Sequence, residues 1–284
     1  MEFKNSKSSL GGEILNLNLN ENINSKDINL IKNFVDERLV ALIRNQEIDD
    51  YKLKEFSSLF GDLDPPAPNP YGVNFLPEHP EINVISNVKN DDGIPIGNLG
   101  DGEATWHADM TYLDTPPKYG ILYALEVPPN QGNTHFANMY QAYEKLPIHL
   151  KKEIEDKVII HDCSHNSAGM LRKGYKEVSS PDQTPGAKHP AVITNQQNNK
   201  KRLFLGRRPN AYILGMSLDE SEKLLNEVWH FATTDEITWT QRWKVGDLLI
   251  WKNLYVLHKR DAFDPSTRRV MHRTQLKGDM TISA

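Results

Sequence analysis

The chain has 284 residues, 38% hydrophobic and 25% charged, with a formal net charge of −5. These proportions belong to a soluble globular protein with enough chain to bury a core. They exclude a domain-wide basic footprint for nucleic acid and a polybasic membrane anchor, and the lone cysteine, Cys163, excludes an internal disulfide. Cys163 reads as a buried structural thiol. The first residues lack the apolar stretch of a secretory signal, and no apolar run approaches the ~20 residues of a membrane span. The expected location is cytoplasmic, with no nucleic-acid or membrane partner.

Residues 1–12 are polar and are expected to be a mobile N-terminal segment ahead of a single domain over 13–284. SKDINLIKNFVDERLVALIRNQ sets Ile28, Ile31, Phe34, Val35, Leu39, Leu42 and Ile43 on one helical stripe, with Ser25 as N-cap. DYKLKEFSSLFGDL reads as a second helix stopped by Gly61, and DPPAPNPYG as a rigid loop. EINVISNV alternates as a strand. KNDDGIPIGNLGDGEA is a long irregular loop of the kind that carries function. YGILYALEV and THFAN are strands around the turn PPNQGN. MYQAYEKLPIHLKKEIED is helical in two pieces broken at Pro147.

Residues 160–190 lose periodicity and read as loop or lid. AVITN and KRLFLG are strands joined by QQNNK. SLDESEKLLNEVWHFATT is a helix capped by Ser217, with Glu220 completing a capping box and Leu218, Leu224, Leu225, Val228 and Trp229 as its apolar stripe. ITWTQRW and LLIWKN are strands about the turn VGD, and RRVMHRTQLKG is a final strand. Many short strands and few helices predict a mainly β fold with flanking helices, a sandwich or jelly roll.

TWHADMTYLDTPP, residues 105–117, carries the chemistry. On a strand, positions two apart share a face, so His107 and Asp109 project together while Trp106, Ala108 and Met110 face away. An imidazole beside a carboxylate is half of a two-histidine, one-carboxylate facial metal site; the plain alternative is a surface strand with two polar groups. His79, His149 and His230 lie in polar or helical surface contexts and read as solvated. His135, His161, His165, His189 and His272 stay open as the third ligand beside His258, which follows an apolar strand about 150 residues after Asp109. In RRVMHRTQL, Arg269, Met271 and Arg273 share one face. A divalent metal with one carboxylate and two imidazoles favours an anionic co-ligand. A 2-oxo acid fits, its distal carboxylate gripped by a cation such as Arg269. A closed structural site would need a fourth protein ligand, for which His135 and His272 are available.

WHADMTYLDTPPKYGILYALEVPPNQGNTHF, GDLLIWKN, LH and DPSTRRVMHRTQLKGD together resemble the taurine dioxygenase and phenoxyacetate dioxygenase family of Fe(II)- and 2-oxoglutarate-dependent oxygenases. The similarity runs from the first helix to KGD. It implies a double-stranded β-helix, a form of jelly roll, with helices buttressing one side. It implies that His107, Asp109 and His258 hold Fe(II), that Thr134 and Arg269 bind 2-oxoglutarate, and that Arg273 meets an anionic group of the substrate. The implied reaction consumes O2, hydroxylates an unactivated C–H bond and releases succinate and CO2. The implied substrate is small and polar, a sulfonate, phosphonate, carboxylate or amino-acid-like molecule.

Asp109 stands where family halogenases carry a small residue, which favours hydroxylation or another oxidation over halogenation. The loop FGDLDPPAPNPYG has Pro66 near the position of the histidine that grips taurine, a departure that argues against taurine. Glu103, Arg207, Arg208, Asn166 and Ser167 align with the substrate side. The same centre could instead desaturate, cyclise or cleave its substrate, and a metal-binding jelly roll without catalysis is the remaining reading. Relatives of this kind are often homo-oligomers, dimers or tetramers.

Overall fold

The computed structural model describes residues 1–196 and 198–278. In chain order, strands β1 (Glu2–Asn5) and β2 (Gly12–Leu15) precede helix α1 (Ser25–Arg38), β3 (Val40–Ile43) and α2 (Asp50–Ser58). Then come β4 (Leu63–Asp64), β5 (Asn83–Ser86), β6 (Asn98–Leu99), β7 (Ala104–His107), β8 (Tyr119–Glu126) and β9 (Thr134–Asn138). Helices α3 (Met139–Lys145) and α4 (Ile148–Ile154) lead to β10 (Val158–Ile160), β11 (Lys188–Pro190), β12 (Val192–Thr194), β13 (Lys201–Leu203) and β14 (Tyr212–Ile213). Helix α5 (Leu218–Ala232), β15 (Thr238–Gln241), β16 (Leu248–Lys252), β17 (Val256–Arg260) and β18 (Val270–Leu276) complete the chain.

Two sheets face each other as a jelly roll. The larger runs β1-β2-β3-β16-β8-β18-β5-β6, with β4 paired to β18; the smaller runs β15-β9-β17-β7. Strand alternation sorts side chains into three layers. Leu42, Leu122, Leu249, Trp251 and Met271 point inward and meet Phe136 and Val256 of the smaller sheet. Their neighbours Ile43, Ile121, Leu248 and Ile250 point outward and pack on Phe34 and Val35 of α1 and Leu53 and Phe56 of α2. On the outer side of the smaller sheet, Ala137 and Leu257 pack on Leu224, Leu225 and Val228 of α5. Gly120 sits where a Cβ would lie 2.2 Å from the Trp251 ring, so only glycine lets that indole lie flat across the ladder.

The long first helix of the sequence reading ends early. Its N-cap is Asn24, whose side chain accepts from the Asp27 amide at 2.9 Å, one residue before the expected Ser25. It stops at Leu39, which adopts φ 62°, and Leu42 and Ile43 belong to β3. VALI is buried on both faces, so an apolar run there fits either period. The segment 1–12, expected to be mobile, forms the hairpin edge of the larger sheet. Leu10 is fully buried, and Arg38 donates to the carbonyls of Ser8 and Gly11. The second helix ends at Ser58, before Gly61. The break at Pro147 and the capping box of Ser217 and Glu220 are both present, although Leu218 is exposed. The region 160–190 is irregular between β10 and β11, which pair with each other.

Candidate metal centre

β7 ends at His107, whose partner across the ladder is His258 on β17, with ring centroids 4.1 Å apart. Asp109 lies past the strand, in a turn where Met110 takes φ 51°. The strand alternation that predicts His107 and Asp109 as neighbours is therefore not what joins them; the chain leaves the ladder and turns Asp109 back. Asn253 holds that turn. Its Oδ1 accepts from the Asp109 amide at 2.8 Å, and its Nδ2 donates to the carbonyls of Asp109 at 2.8 Å and Pro117 at 2.9 Å. One ligand atom from each of His107, Asp109 and His258 lies within 4.8 Å of the others, the one such group among the described residues.

The polar atoms around this point fit a cation. The Thr105 carbonyl takes the Nδ1 proton of His107 at 2.7 Å, which leaves Nε2 as a lone pair 3.6 Å from Asp109. His258 Nε2 is 3.9 Å from Asp109 Oδ2. Arg273 Nη1 donates to Asp109 Oδ1 at 2.8 Å, while Oδ2 is buried with no partner. An unpartnered buried carboxylate oxygen is costly, and a metal would satisfy it. Burial, then the neighbouring His107, pushes the His258 imidazole down to about 3, so it is neutral near pH 7. Burial alone would raise the Asp109 carboxyl; Arg273, then His258 and His107, outweigh it and hold the group well below the usual range. Two imidazoles and a carboxylate are the donor set of a non-haem Fe(II) centre with open positions. His135 bonds Thr240 and Asp261, and His272 bonds Asp50 of α2, so neither supplies a fourth ligand.

Two cavities meet at the triad. The inner one, about 470 Å³, lies between the sheets and is lined by Leu122, Thr134, Trp251, Arg260 and Arg269 beside His107 and His258. Arg269 is 2% exposed and faces no carboxylate among the described residues; its Nε has no partner. Burial, then Arg260, pushes its guanidinium well below the usual arginine range. A guanidinium does not give up its proton in a protein, so this is a stored positive charge in want of an anion. Trp243 Nε1 donates to Thr134 Oγ1 at 2.9 Å, which leaves the threonine hydroxyl proton free to be donated. Arg260 spends its donors on the loop ahead of β7, at the carbonyls of Gly100 (2.9 Å), Leu99 (3.2 Å) and Gly102.

The outer cavity, about 630 Å³, opens on the other side of the triad. Its polar wall includes Asn98, Tyr112, Asn166, Arg172, Arg207 and Arg273, and its apolar wall Pro68, Pro70, Leu99, Ala108 and Met110. Arg207 is ion-paired with Asp162 and donates to the Asn166 carbonyl at 3.2 Å. Arg172 stacks over the Tyr112 ring at 4.2 Å and donates from Nη1 to the Cys163 carbonyl at 2.9 Å. Burial pushes the Tyr112 phenol up to about 12, so it stays protonated.

The family model for the taurine catabolism dioxygenase TauD, TfdA family matches residues 2–275. The chain belongs to that family. It is an α-ketoglutarate-dependent dioxygenase, with Fe(II) and 2-oxoglutarate as its cofactors. Among its relatives, the α-ketoglutarate-dependent 2,4-dichlorophenoxyacetate dioxygenase of Burkholderia sp. (strain RASC) is 29% identical over 277 residues, 94% of this chain and 91% of the relative. The alkylsulfatase of Acinetobacter baylyi is 29% identical over 97% of this chain and 84% of its own length. The crystal structure of AAD-2 in complex with Mn(II) and N-oxalylglycine superposes with a TM-score of 0.81 at 26% identity, covering 99% of this chain and 100% of that one.

For this dioxygenase, sequence reasoning and geometry differ at several side chains. Thr134, Arg269 and Arg273 line the inner cavity, and Asn166, Ser167, Arg207 and Arg273 line the outer one. Glu103 is exposed and lines neither. Arg208 turns away to Glu222 and Asn226 of α5, because the chain direction that aims Arg207 inward sends its neighbour out. His79, expected to be solvated, is buried edge-on against Tyr51. Arg172, Tyr112, Asn253, Trp243 and Arg260 escaped the sequence reading. Alternation along β17 carried a signal for Arg260, which follows His258 by two; nothing in the aperiodic stretch around Arg172 did.

Proposed function

We infer that this dioxygenase hydroxylates an aliphatic C–H bond of a small anionic molecule, and that one domain carries the whole site. His107, Asp109 and His258 hold the Fe(II). Thr134 and Arg269 hold the distal carboxylate of 2-oxoglutarate, the former by its free hydroxyl proton and the latter by a paired guanidinium fork. When bound, the iron would supply the oxidative chemistry, by which one atom of O2 enters the C–H bond and the other enters 2-oxoglutarate as it loses CO2 and becomes succinate. The protein's own part is positional. Asn253 and Arg273 fix Asp109, and the Thr105 carbonyl fixes His107. The substrate takes the outer cavity, whose mixed walls suit a small organic anion.

The observation that carries this reading is the triad standing between two cavities, one of which ends at Arg269 with no counter-charge among the described residues. Relatives named for phenoxyacetate, sulfate-ester and sulfonate chemistry support an anionic substrate. The test is anaerobic addition of Fe(II) and 2-oxoglutarate, read by the charge-transfer absorbance of the chelate. It is followed by succinate release with sulfonates, sulfate esters, phosphonates, aryloxy acids and amino acids. A folded, iron-loaded protein without that absorbance refutes the reading. Product mass then separates hydroxylation, which adds an oxygen atom, from desaturation, which removes two hydrogens.

A further inference from the structure

Three guanidiniums line the outer cavity, and two are already committed. Arg207 is neutralised by Asp162, and Arg273 is held on Asp109 at 2.8 Å. Arg172 faces no carboxylate among the described residues, although it is only 9% exposed. Its Nη1 is used by the Cys163 carbonyl, and its Nε is buried with no partner. Stacking on Tyr112 fixes the plane of the guanidinium, so its remaining N–H edge is presented in one direction.

The surroundings carry the same deficit. Tyr112 and Asn166 line this cavity, and Tyr112 Oη and Asn166 Nδ2 are buried without a hydrogen-bond partner. The Asn166 amide is fixed with its oxygen turned away, since Oδ1 accepts from the amides of Ala168 and Met170 at 3.0 Å each. The cavity therefore holds an uncompensated cation and two further donors. Among the fully buried side-chain atoms of the described residues on its wall, the unpartnered carboxylate oxygen is Asp109 Oδ2, which faces the metal position. Buried donors without acceptors are costly, so the molecule that fills this space brings the acceptors.

We propose that Arg172, Tyr112 and Asn166 form the clamp for the substrate's anionic group. This rests on the dioxygenase reading above. Arg172 takes the charge of a carboxylate, sulfonate or sulfate ester; Tyr112 and Asn166 donate to the same group. Pro68, Pro70, Leu99 and Met110 cover the hydrocarbon or aryl part. Arg207 organises the wall through its pair with Asp162.

The experiment is calorimetry on anaerobic, Fe(II)- and 2-oxoglutarate-loaded protein with hexyl sulfate, hexanesulfonate and phenoxyacetate, each against its uncharged counterpart, hexanol or phenoxyethanol. The wild-type protein binds at least one of these anions about tenfold or more tightly than its counterpart. Arg172→Gln lowers that anion's affinity by about 10- to 100-fold, the worth of a charge-assisted contact, and leaves the chelate absorbance unchanged. Arg172→Lys recovers part of the loss. Tyr112→Phe, which removes only a hydroxyl, weakens the same anion about fivefold without lowering the melting temperature. A wild-type protein that favours none of the anions, or an Arg172→Gln variant that keeps the full preference, overturns the clamp while a normal chelate leaves the metal site standing. A missing wild-type chelate indicts the dioxygenase reading instead.

Discussion

Arg269 is a positive charge kept away from water with no carboxylate among the described residues to balance it, and that makes its removal informative. In the ligand-free protein the buried cation is a liability, so Arg269→Met is expected to raise stability by about 1–3 kcal/mol in urea melts. The same change removes charge-assisted bonds of roughly 1.5–3 kcal/mol and weakens 2-oxoglutarate by about 10- to 100-fold in calorimetric titration. A variant that is both less stable and unimpaired in binding contradicts the assignment. Asn253 is the opposite case, a neutral side chain that holds three backbone groups near Asp109. Asn253→Ala leaves those groups unpartnered, costs about 2–4 kcal/mol and lowers iron affinity by roughly 10- to 100-fold, read by metal titration. His107, Asp109 and Arg269 stood out in the sequence because unusual residue types fell at short, patterned spacings. Asn253 and Arg172 did not, since one is a polar residue after a strand and the other sits where no period exists to say which way it points.

Elements tell how far pattern reading reaches. The helix at Ser217 was legible because its cap, acidic first turn and apolar stripe agree. Ser217→Ala should cost about 1 kcal/mol and leave the chelate absorbance intact. The switch from α1 to β3 was not legible, because Val40–Ile43 is buried on both faces and only packing against β16 decides its form. Gly120 belongs at this scale as well. A methyl group there collides with Trp251, whose ring lies 5.3 Å from that of His258. Gly120→Ala is expected to cost about 1–3 kcal/mol by overpacking and to change the tryptophan fluorescence on metal addition. An unchanged melt would mean that the indole moves aside freely.

For the whole molecule, the jelly roll was readable from the succession of short strands, and the comparison structures carry the same fold. The N-terminal hairpin was not, because all four residues of β1 are exposed and so carry no apolar signature. Ligand linkage acts on the assembled roll. With manganese in place of iron, 2-oxoglutarate at a hundred times its dissociation constant should stabilise the protein by about 2.7 kcal/mol, seen as a rise in melting temperature. In Arg269→Met, with the dissociation constant raised about 10- to 100-fold, the same ligand concentration should stabilise by only about 0.4–1.4 kcal/mol.

His107 and His258 sit opposite one another on adjacent antiparallel strands that come from far apart in the chain. Sliding either strand by a single residue would swing its imidazole to the far side of the sheet. On the proposed assignment of iron to His107 and His258, a molecule threaded that way has no place for the metal, so metal uptake during refolding should count only the copies that were assembled in register.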